Sequence, residues 1–327
     1  MNPLTPLQST LLRAAGDVAS RRGQRSLLVL IYHRVLPHPD PLLPYEPDAG
    51  RFAAQLDVIG SLFNVLPLAE AVQKLRAGQL PARAVSITFD DGYANNFEVA
   101  LPILTSRAMP ATVFVAPGFL SGGRMFNDTV IEAVRRASGE LDLTREGLGR
   151  YDLHDDDARV RAIASIQPVL KYLPQSVRVN RATAIAERVG AELPDDLMMT
   201  EQQVRCLHRE GIGIGAHTVN HPILANVDEA TARREIVESK ARLTDMIGSP
   251  VNTFAYPNGG PARDYTARDV VLAREAGFEL AVSTAWGAAT AGADPLQIPR
   301  IAPWDRTAVR FGMRMVRAHL ERQVAAV

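Results

Sequence analysis

The sequence has very little cysteine and no excess of either charge. One cysteine, Cys206, stands among 327 residues, which excludes an intramolecular disulfide framework and a zinc site built on thiolates. Lysine plus arginine and aspartate plus glutamate both number 36, so the formal net charge is zero. A chain without a basic field has little electrostatic attraction for a polyanion, and we expect no nucleic-acid partner.

Long apolar runs are also missing. The run Leu27–Tyr32 is far shorter than the roughly 20 apolar residues that span a bilayer as a helix, so we expect no transmembrane segment. Residues 1–24 contain no basic stretch followed by an apolar one, which is the pattern of a secretory signal. These absences predict a cytoplasmic protein. Peripheral contact with the inner membrane stays open, because both ends of the chain contain amphipathic helical patterns.

What the sequence does contain is an alternation of short apolar runs with helical patterns. This alternation is typical of a mostly parallel sheet, open or closed into a barrel, in which the polar residues that follow the strands meet at one edge. The runs predict strands at 27–32, 63–66, 84–89, 111–115, 212–216, 251–256, 280–284 and 297–301.

Three segments fall outside this alternation. Residues 1–25 predict an N-terminal helical segment that packs on the main domain, 26–305, and residues 306–327 predict a basic amphipathic helix. From about 121 to 196, charged segments with helical spacing predict a helical insertion whose apolar content is too low for a core of its own. The insertion leaves and rejoins the alternation next to strands that precede candidate site residues. We therefore expect it to border the substrate groove.

Two adjacent carboxylates follow the predicted strand at 84–89. Asp90 and Asp91 lie at the mouth of a buried strand, where they repel each other and are costly to desolvate, so a cation between them is one interpretation. Gly92 lets the chain turn at once. A simple turn with a helix N-cap is the alternative, because Asp and Gly are ordinary turn residues.

Two histidines four residues apart follow the glycine-rich strand at 212–216. The imidazoles of His217 and His221 can converge on one cation, and together with Asp91 they supply two nitrogens and one oxygen. This set suits Zn²⁺ with positions left for water and substrate, and Ni²⁺ or Co²⁺ would also fit. Asp90 would then be free to act as a base on the water that the metal activates.

Three motifs in this order resemble those of the polysaccharide deacetylases, carbohydrate esterase family 4. They are Thr88–Gly92, His217–His221 and Phe254–Gly259, and the resemblance covers roughly residues 27–120 and 197–301. It implies an α/β fold, a distorted (β/α) barrel that here carries the helical insertion. It also implies a metal-dependent hydrolase that removes N-acetyl, or O-acetyl, groups from a glycan or glycan precursor.

The resemblance implies roles for individual residues as well. Asp90 matches the general base, and the backbone amide of Asn258 is placed to hold the oxyanion. The implied metal ligands are Asp91, His217 and His221. The candidates for substrate contact are Tyr93, Tyr256, Pro257 and Asn258.

The chain departs from the family pattern at two points. The arginine that orients the base in many members is Ala255 here, and the late Leu-x-His, whose histidine protonates the leaving amine, is replaced by 297–301 without a histidine. We predict that Arg300 pairs with Asp90 from a different strand. We also predict that His33, which ends the first strand, is the acid. The alternative is a structural, hydrogen-bonded His33, with Asp90 acting as both base and acid.

Three functions are compatible with these residues. The prediction is a metal-dependent carbohydrate deacetylase that acts on an acetylated glycan. An amidohydrolase acting on a small or lipid-linked amide is a neighbouring alternative. A glycan-binding protein without catalysis is the third, because the expected arginine and histidine are missing. The complete set of Asp91, His217 and His221 favours an enzyme over a pure binder.

Overall fold

A curled parallel sheet of seven strands lies at the centre of the molecule. The computed structural model describes residues 1, 3–22, 25–190, 192–319, 321 and 326–327. The strands in chain order are β1 (Leu27–Tyr32), β2 (Asn64–Val65), β3 (Ala84–Phe89), β4 (Thr112–Val115), β5 (Glu140–Leu143), β6 (Gly149–Asp152), β7 (Gly213–Ala216), β8 (Thr253–Ala255) and β9 (Leu280–Val282). The main sheet runs β1-β3-β4-β7-β8-β9, and β2 pairs with the start of β3.

Helices surround this sheet, which confirms the predicted (β/α)-barrel-like fold class. They are α1 (Pro6–Arg22), α2 (Ala49–Leu62), α3 (Leu68–Arg76), α4 (Leu101–Thr105), α5 (Phe126–Arg136), α6 (Asp156–Lys171), α7 (Gln175–Val189), α8 (Glu201–Arg209), α9 (Glu229–Ile247), α10 (Ala267–Glu275) and α11 (Ala308–Ala318). Within the described residues, no helix combines the length and the apolar character needed to cross a membrane.

The strands β1 and β3 are buried along their whole length, as expected for central strands of a parallel sheet. Alternate residues point to opposite faces, so Leu28 and Leu30 pack in one apolar cluster while Leu27 and Val29 pack in another. The register pairs Tyr32 with the last residue of β3. The residues that follow these two strands therefore emerge side by side at the carboxyl edge.

The two edges of the sheet are joined by the segment 297–301, which was predicted as a strand. Ile298 makes a single parallel bridge to Val282 of β9, and Ile301 makes one to Leu30 of β1. A regular strand does not form, because the segment begins in a 3₁₀ turn and Pro299 has no N–H to donate to a ladder. The segment still brings Arg300 to the carboxyl edge between β9 and β1.

The insertion between β4 and β7 differs from the prediction in two ways. It contains α5, α6 and α7 but also an antiparallel hairpin of β5 and β6. The expectation that it lacks its own core is wrong, because residues of all three helices form a separate buried apolar cluster, including Val130, Val134, Ile163, Ile166 and Ile185. These residues recur at helical spacing among Arg and Ala, so overall composition understated the apolar face.

The terminal helices pack on the domain. Leu12 of α1 packs against the main core, and Asp17 forms an ion pair of 2.9 Å with Arg83. Phe311 and Met315 of α11 are buried in the same core. Residues 2, 23–24, 320 and 322–325 of the two predicted terminal segments lie outside the described residues.

Candidate active site

Asp91, His217 and His221 converge at the carboxyl edge of the sheet. Nε2 of His217 lies 3.4 Å from Oδ1 of Asp91, and Nε2 of His221 lies 3.5 Å from the same oxygen. The two imidazole rings are 4.7 Å apart, and one potential ligand atom from each of the three residues lies within 4.8 Å of the others. The predicted convergence of these three side chains is therefore observed.

The donor set fits a divalent transition metal ion. Nδ1 of His217 lies 2.7 Å from the carbonyl oxygen of Ala255, and since a carbonyl can only accept, Nδ1 carries a proton and Nε2 is the nitrogen that is directed toward Asp91 and available to a metal ion. Burial lowers the pKa of His221 to about 3, so this imidazole is neutral at physiological pH. Burial raises the pKa of Asp91, but the hydrogen bond with His217 and the nearby His221 hold it below its usual range. Burial lowers the pKa of His217, but the hydrogen bond with Asp91 and the charge of Asp90 hold it above its usual range, so a metal ion that binds at Nε2 would displace a proton there. With that proton released, two nitrogens and one carboxylate could bind Zn²⁺ or a similar ion.

Backbone strain is concentrated around these ligands. Neighbouring residues of a strand point to opposite sides, so both carboxylates can face one site only if the extended conformation ends between them. Asp91 has φ +76°, and Thr218, His221 and Asn258 have φ +59°, +51° and +62°. Each left-handed non-glycine residue costs about 1–2 kcal/mol. Strain of this kind tends to persist at functional sites, where the surrounding structure holds it.

The loop that carries the two histidines is held by side chains that the sequence analysis did not single out. Glu235 of α9 accepts hydrogen bonds from the backbone N–H groups of Val219 and Asn220, at 2.9 and 2.8 Å. From the insertion, Gln175 donates to the carbonyl of Asn220 at 2.9 Å, and Arg178 donates to the carbonyl of His221 at 3.3 Å. A glutamate within the buried stripe of α9 was the one available signal for this support.

Asp90 and Arg300 form a buried bidentate ion pair. Both guanidinium nitrogens Nη1 and Nη2 donate to the carboxylate at 2.7 Å, and Nε donates to the carbonyl of Ser283 at 3.0 Å. The predicted pairing of Arg300 with Asp90 is confirmed. Burial raises the pKa of Asp90, but Arg300 and His217 hold it below its usual range, so the carboxylate is ionised. Its Oδ2 lies 4.0 Å from Nε2 of His217.

His33 lies at the same mouth, as predicted. A cleft of about 740 Å³ is lined by His33 together with Asp90, Asp91, His217 and His221. The imidazole of His33 is half-buried, and within the described residues it makes no hydrogen bond. The alternative of a hydrogen-bonded structural histidine therefore has no support in the contacts.

The insertion borders this cleft, as predicted. Asp128 of α5 and Lys171 of α6 are among the lining residues. Tyr93, a candidate for substrate contact, also lines the cleft, but its hydroxyl donates to Asp128 at 3.0 Å and its ring lies under the guanidinium of Arg34 at 4.8 Å. Burial raises the pKa of Asp128 to about 7 despite the opposing charge of Arg34. No sequence motif pointed to Asp128.

The third motif contributes less than predicted. Asn258 lines the cleft and its carbonyl accepts a hydrogen bond from Thr284 at 2.8 Å. Tyr256 is fully buried, stacks on Tyr265 at 3.9 Å between ring centroids and donates its hydroxyl to the carbonyl of Leu296. Pro257 is buried as well, and neither residue is among those that line the cleft. Contact of substrate with Tyr256 or Pro257 stays a prediction, to which the burial of both side chains gives no support.

Comparison with known proteins identifies one protein family. The family model described as Polysaccharide deacetylase matches residues 77–137 and 153–281. The match includes all three motifs and extends over the helices of the insertion, which the resemblance noted above had excluded. YxkH of Bacillus subtilis (strain 168), a relative described as a polysaccharide deacetylase, is 21% identical to this chain over 229 residues. The match covers 70% of this chain but 54% of YxkH, so the chain spans about half the length of that relative.

Solved structures show the same fold. The deacetylase PplD of Streptococcus pyogenes, determined in complex with acetate, superposes with a TM-score of 0.60 at 20% identity, over 89% of this chain and 98% of PplD. IcaB from Ammonifex degensii gives a TM-score of 0.57 at 20% identity, over 90% of this chain and 97% of IcaB. At this level of identity the likeness concerns the fold.

Proposed function

The chain belongs to the polysaccharide deacetylase family, and from that premise we propose that it is a metal-dependent hydrolase that removes N-acetyl groups from the amino sugars of a glycan. The observation that carries the proposal is the Asp90 carboxylate. It is held ionised by two 2.7 Å bonds from Arg300 and lies 4.0 Å from Nε2 of His217, at the edge of the candidate ligand cluster.

The proposed roles follow from these positions. A divalent metal ion on Asp91, His217 and His221 would supply Lewis-acid activation of the acetamide carbonyl and of water. Asp90 accepts the proton of the attacking water, because its carboxylate is ionised and fixed in direction by Arg300. Asn258 lines the cleft, and its backbone amide is our candidate donor to the oxyanion.

Breaking the amide also requires a proton on the leaving nitrogen. His33 is our candidate acid, because it lines the same cleft as Asp90 and its ring has no competing hydrogen bond among the described residues. Arg300 and His33 thus occupy the roles of the arginine and histidine that the sequence motifs lack. This weakens the alternative of a glycan-binding protein without catalysis, which was motivated by those two absences.

Acetate release from a panel of substrates tests the proposal. The protein is stripped with a chelator and assayed before and after addition of Zn²⁺, Ni²⁺ or Co²⁺ on N-acetylated oligosaccharides, O-acetylated oligosaccharides, lipid-linked amino sugars and small ring amides. We expect release from N-acetylated glycans only after metal is added. Hydrolysis confined to small ring amides would favour the amidohydrolase alternative, and glycan binding without any hydrolysis would contradict the proposed activity.

A further inference from the structure

A second cavity, of about 240 Å³, adjoins the catalytic cleft. The two share Ile31, His33, Glu46 and Thr284 as lining residues, so a ligand in one lies next to a ligand in the other. The candidate acid His33 lies at this shared boundary. The proposed function assigns no role to the second cavity.

Aromatic side chains make up a large part of the wall of this cavity. The chain has only two tryptophans, Trp286 and Trp304, and both line the cavity together with Tyr45. All three are exposed, with relative accessibilities of 40%, 56% and 73%. Aromatic side chains usually gain most from burial, so a group of three exposed rings around one cavity indicates a surface that is covered by a ligand.

The aromatic rings are presented by fixed backbone. The indole N–H of Trp286 donates to Oε2 of Glu321 at 2.7 Å, which holds the ring in one orientation. The carbonyl of Trp304 accepts from Arg51 at 3.0 Å, and Gln55 donates to the preceding carbonyl at 2.9 Å. Both donors belong to α2. A preorganised platform of this kind loses little conformational freedom when a ligand binds.

We propose that this cavity, the aromatic subsite, binds the sugar residue next to the one that is deacetylated. The proposal rests on the proposed function and narrows it to oligomeric or polymeric glycans. A sugar ring offers apolar C–H faces and a rim of hydroxyls, which match aromatic faces combined with the Glu46 carboxylate and the Thr284 hydroxyl. The volume is below the roughly 300–1,000 Å³ of pockets for drug-sized ligands, which suits a single ring.

The charge of the subsite argues against other occupants. Two charged residues, Glu46 and Arg300, line it, and the guanidinium of Arg300 is already paired with Asp90 by two bonds of 2.7 Å. The remaining charge is the Glu46 carboxylate, which accepts from the backbone N–H of Arg34 at 3.2 Å. A phosphate or an anionic lipid headgroup would be repelled by this group. A neutral sugar can instead donate a hydroxyl to a carboxylate in a charge-assisted hydrogen bond.

Intrinsic fluorescence tests binding directly. Both tryptophans line the subsite, so their emission reports on it without a background from elsewhere in the chain. The Asp90→Asn variant, loaded with Zn²⁺, is titrated with N-acetylglucosamine and with its β-1,4- and β-1,6-linked dimers to pentamers. We expect a saturable change with oligomers of one linkage, at concentrations at least about tenfold lower than any change with the monosaccharide. Equal response to monosaccharide and oligomers would overturn the proposal, and so would a response to anionic lipid vesicles alone.

Kinetics with substituted tryptophan separate the subsite from the chemistry. Trp304→Ala should lower the ratio of kcat/KM for the pentamer to kcat/KM for the monosaccharide about tenfold or more, mainly through KM, and Trp304→Phe should retain most of the ratio. Met313→Ala, an exposed apolar side chain on α11, is the control and should leave both constants unchanged. Trp286→Ala should lower the same ratio of kcat/KM values and so provides an independent measurement.

The results that would overturn the aromatic subsite differ from those that would overturn the proposed activity. Acetate release that is equally efficient for monomer and oligomers, and a Trp304→Ala variant with an unchanged ratio, would overturn the aromatic subsite while the proposed activity stands. A saturable fluorescence change with oligomers but no acetate release from any substrate would overturn the proposed activity while the subsite stands.

Discussion

The carboxyl edge of the barrel and the insertion line the same cleft in different ways. The barrel edge contributes residues that directly follow strands, and they are held by short bonds, such as the two of 2.7 Å between Arg300 and Asp90. The insertion contributes residues from helices, such as Asp128 and Lys171, and these helices pack around a separate apolar cluster. The reactive geometry is therefore set by sheet register, and the opposite wall by an independent core.

We expect the barrel edge to determine the reaction and the insertion to determine which substrates fit. Changing the register of the sheet would displace every strand-end residue together, whereas residues of the insertion can be changed one at a time without altering that register. The two regions couple where Gln175 and Arg178 of α7 hold the carbonyls of the histidine loop. Substitutions in each region can therefore test whether metal binding and turnover depend on the barrel alone or also on the insertion.

The largest effect is expected from His217→Ala at the barrel edge. The variant should lose bound metal and acetate release together, by roughly 10³-fold or more in turnover, because a bound metal supplies several kcal/mol of transition-state stabilisation. Metal content by mass spectrometry and acetate assays measure both. His38→Ala, an exposed loop histidine, is the control and should retain both. Full metal occupancy in His217→Ala would contradict the ligand assignment.

Asp90→Asn should separate metal binding from proton transfer. The amide keeps the shape of the side chain but cannot accept the proton of water, so turnover should fall by roughly 10²-fold or more while metal content stays nearly unchanged. The matched variant Asp91→Asn should lose metal instead. If Asp90→Asn lost the metal and Asp91→Asn kept it, the two roles would be reversed.

The residues of the barrel edge could be predicted because apolar strands end abruptly in polar side chains. Asp90, Asp91, His217 and His221 follow such strands directly, and the closing segment carried Arg300 to Asp90 even though Pro299 prevents a regular strand. Local sequence was sufficient at these positions, since the register of parallel strands brings their carboxyl ends together.

The supporting residues could not be predicted in the same way. Glu235 and Arg178 bind backbone groups of a loop that lies 15 or more residues away in sequence, and a charged residue within a helix carries no signature of such a partner. The burial of Tyr256 could not be predicted either, because a motif indicates the path of the backbone, whereas the packing of its ring on Tyr265 depends on tertiary contacts. The core of the insertion was missed because short apolar stripes are diluted by charged neighbours.

His33→Gln tests whether His33, a strand-end residue of the barrel edge, is the acid that protonates the leaving nitrogen. We expect unchanged metal content and turnover lower by roughly 10- to 100-fold, because Asp90 can return its proton to the leaving group less effectively. The alkaline limb of the pH–rate profile should change, since the lost group must be protonated to act. His208→Gln on α8 is the control. A profile identical to that of the parent protein would assign both proton transfers to Asp90.

Arg178→Met tests the coupling between the insertion and the metal. The methionine keeps an apolar contact with Phe126, whose ring lies 4.6 Å below the guanidinium, but cannot donate to the carbonyl of His221. The Kd for Zn²⁺ or Co²⁺, measured by chelator competition, should rise about tenfold, as for other partners that orient metal ligands. Arg188→Met on the same helix is the control. An unchanged Kd with a lower Tm would restrict Arg178 to a structural role.

The smallest effect concerns the stability of the cleft wall at Asp128. Burial raises the pKa of this carboxyl to about 7, above its unfolded value near 4, so the folded protein holds the proton more tightly. The stability from this group is fully present below about pH 4 and is lost as the pH rises through 7.

Asp128→Asn mimics the protonated form and can still accept from the hydroxyl of Tyr93. The Tm of Asp128→Asn minus the Tm of the parent should therefore be smallest at pH 4 and larger by a few degrees at pH 8. Asp196→Asn, an exposed insertion carboxyl, should show no such dependence. A Tm difference for Asp128→Asn that is the same at both pH values would mean that Asp128 is ionised throughout, held by its ion pair with Arg34.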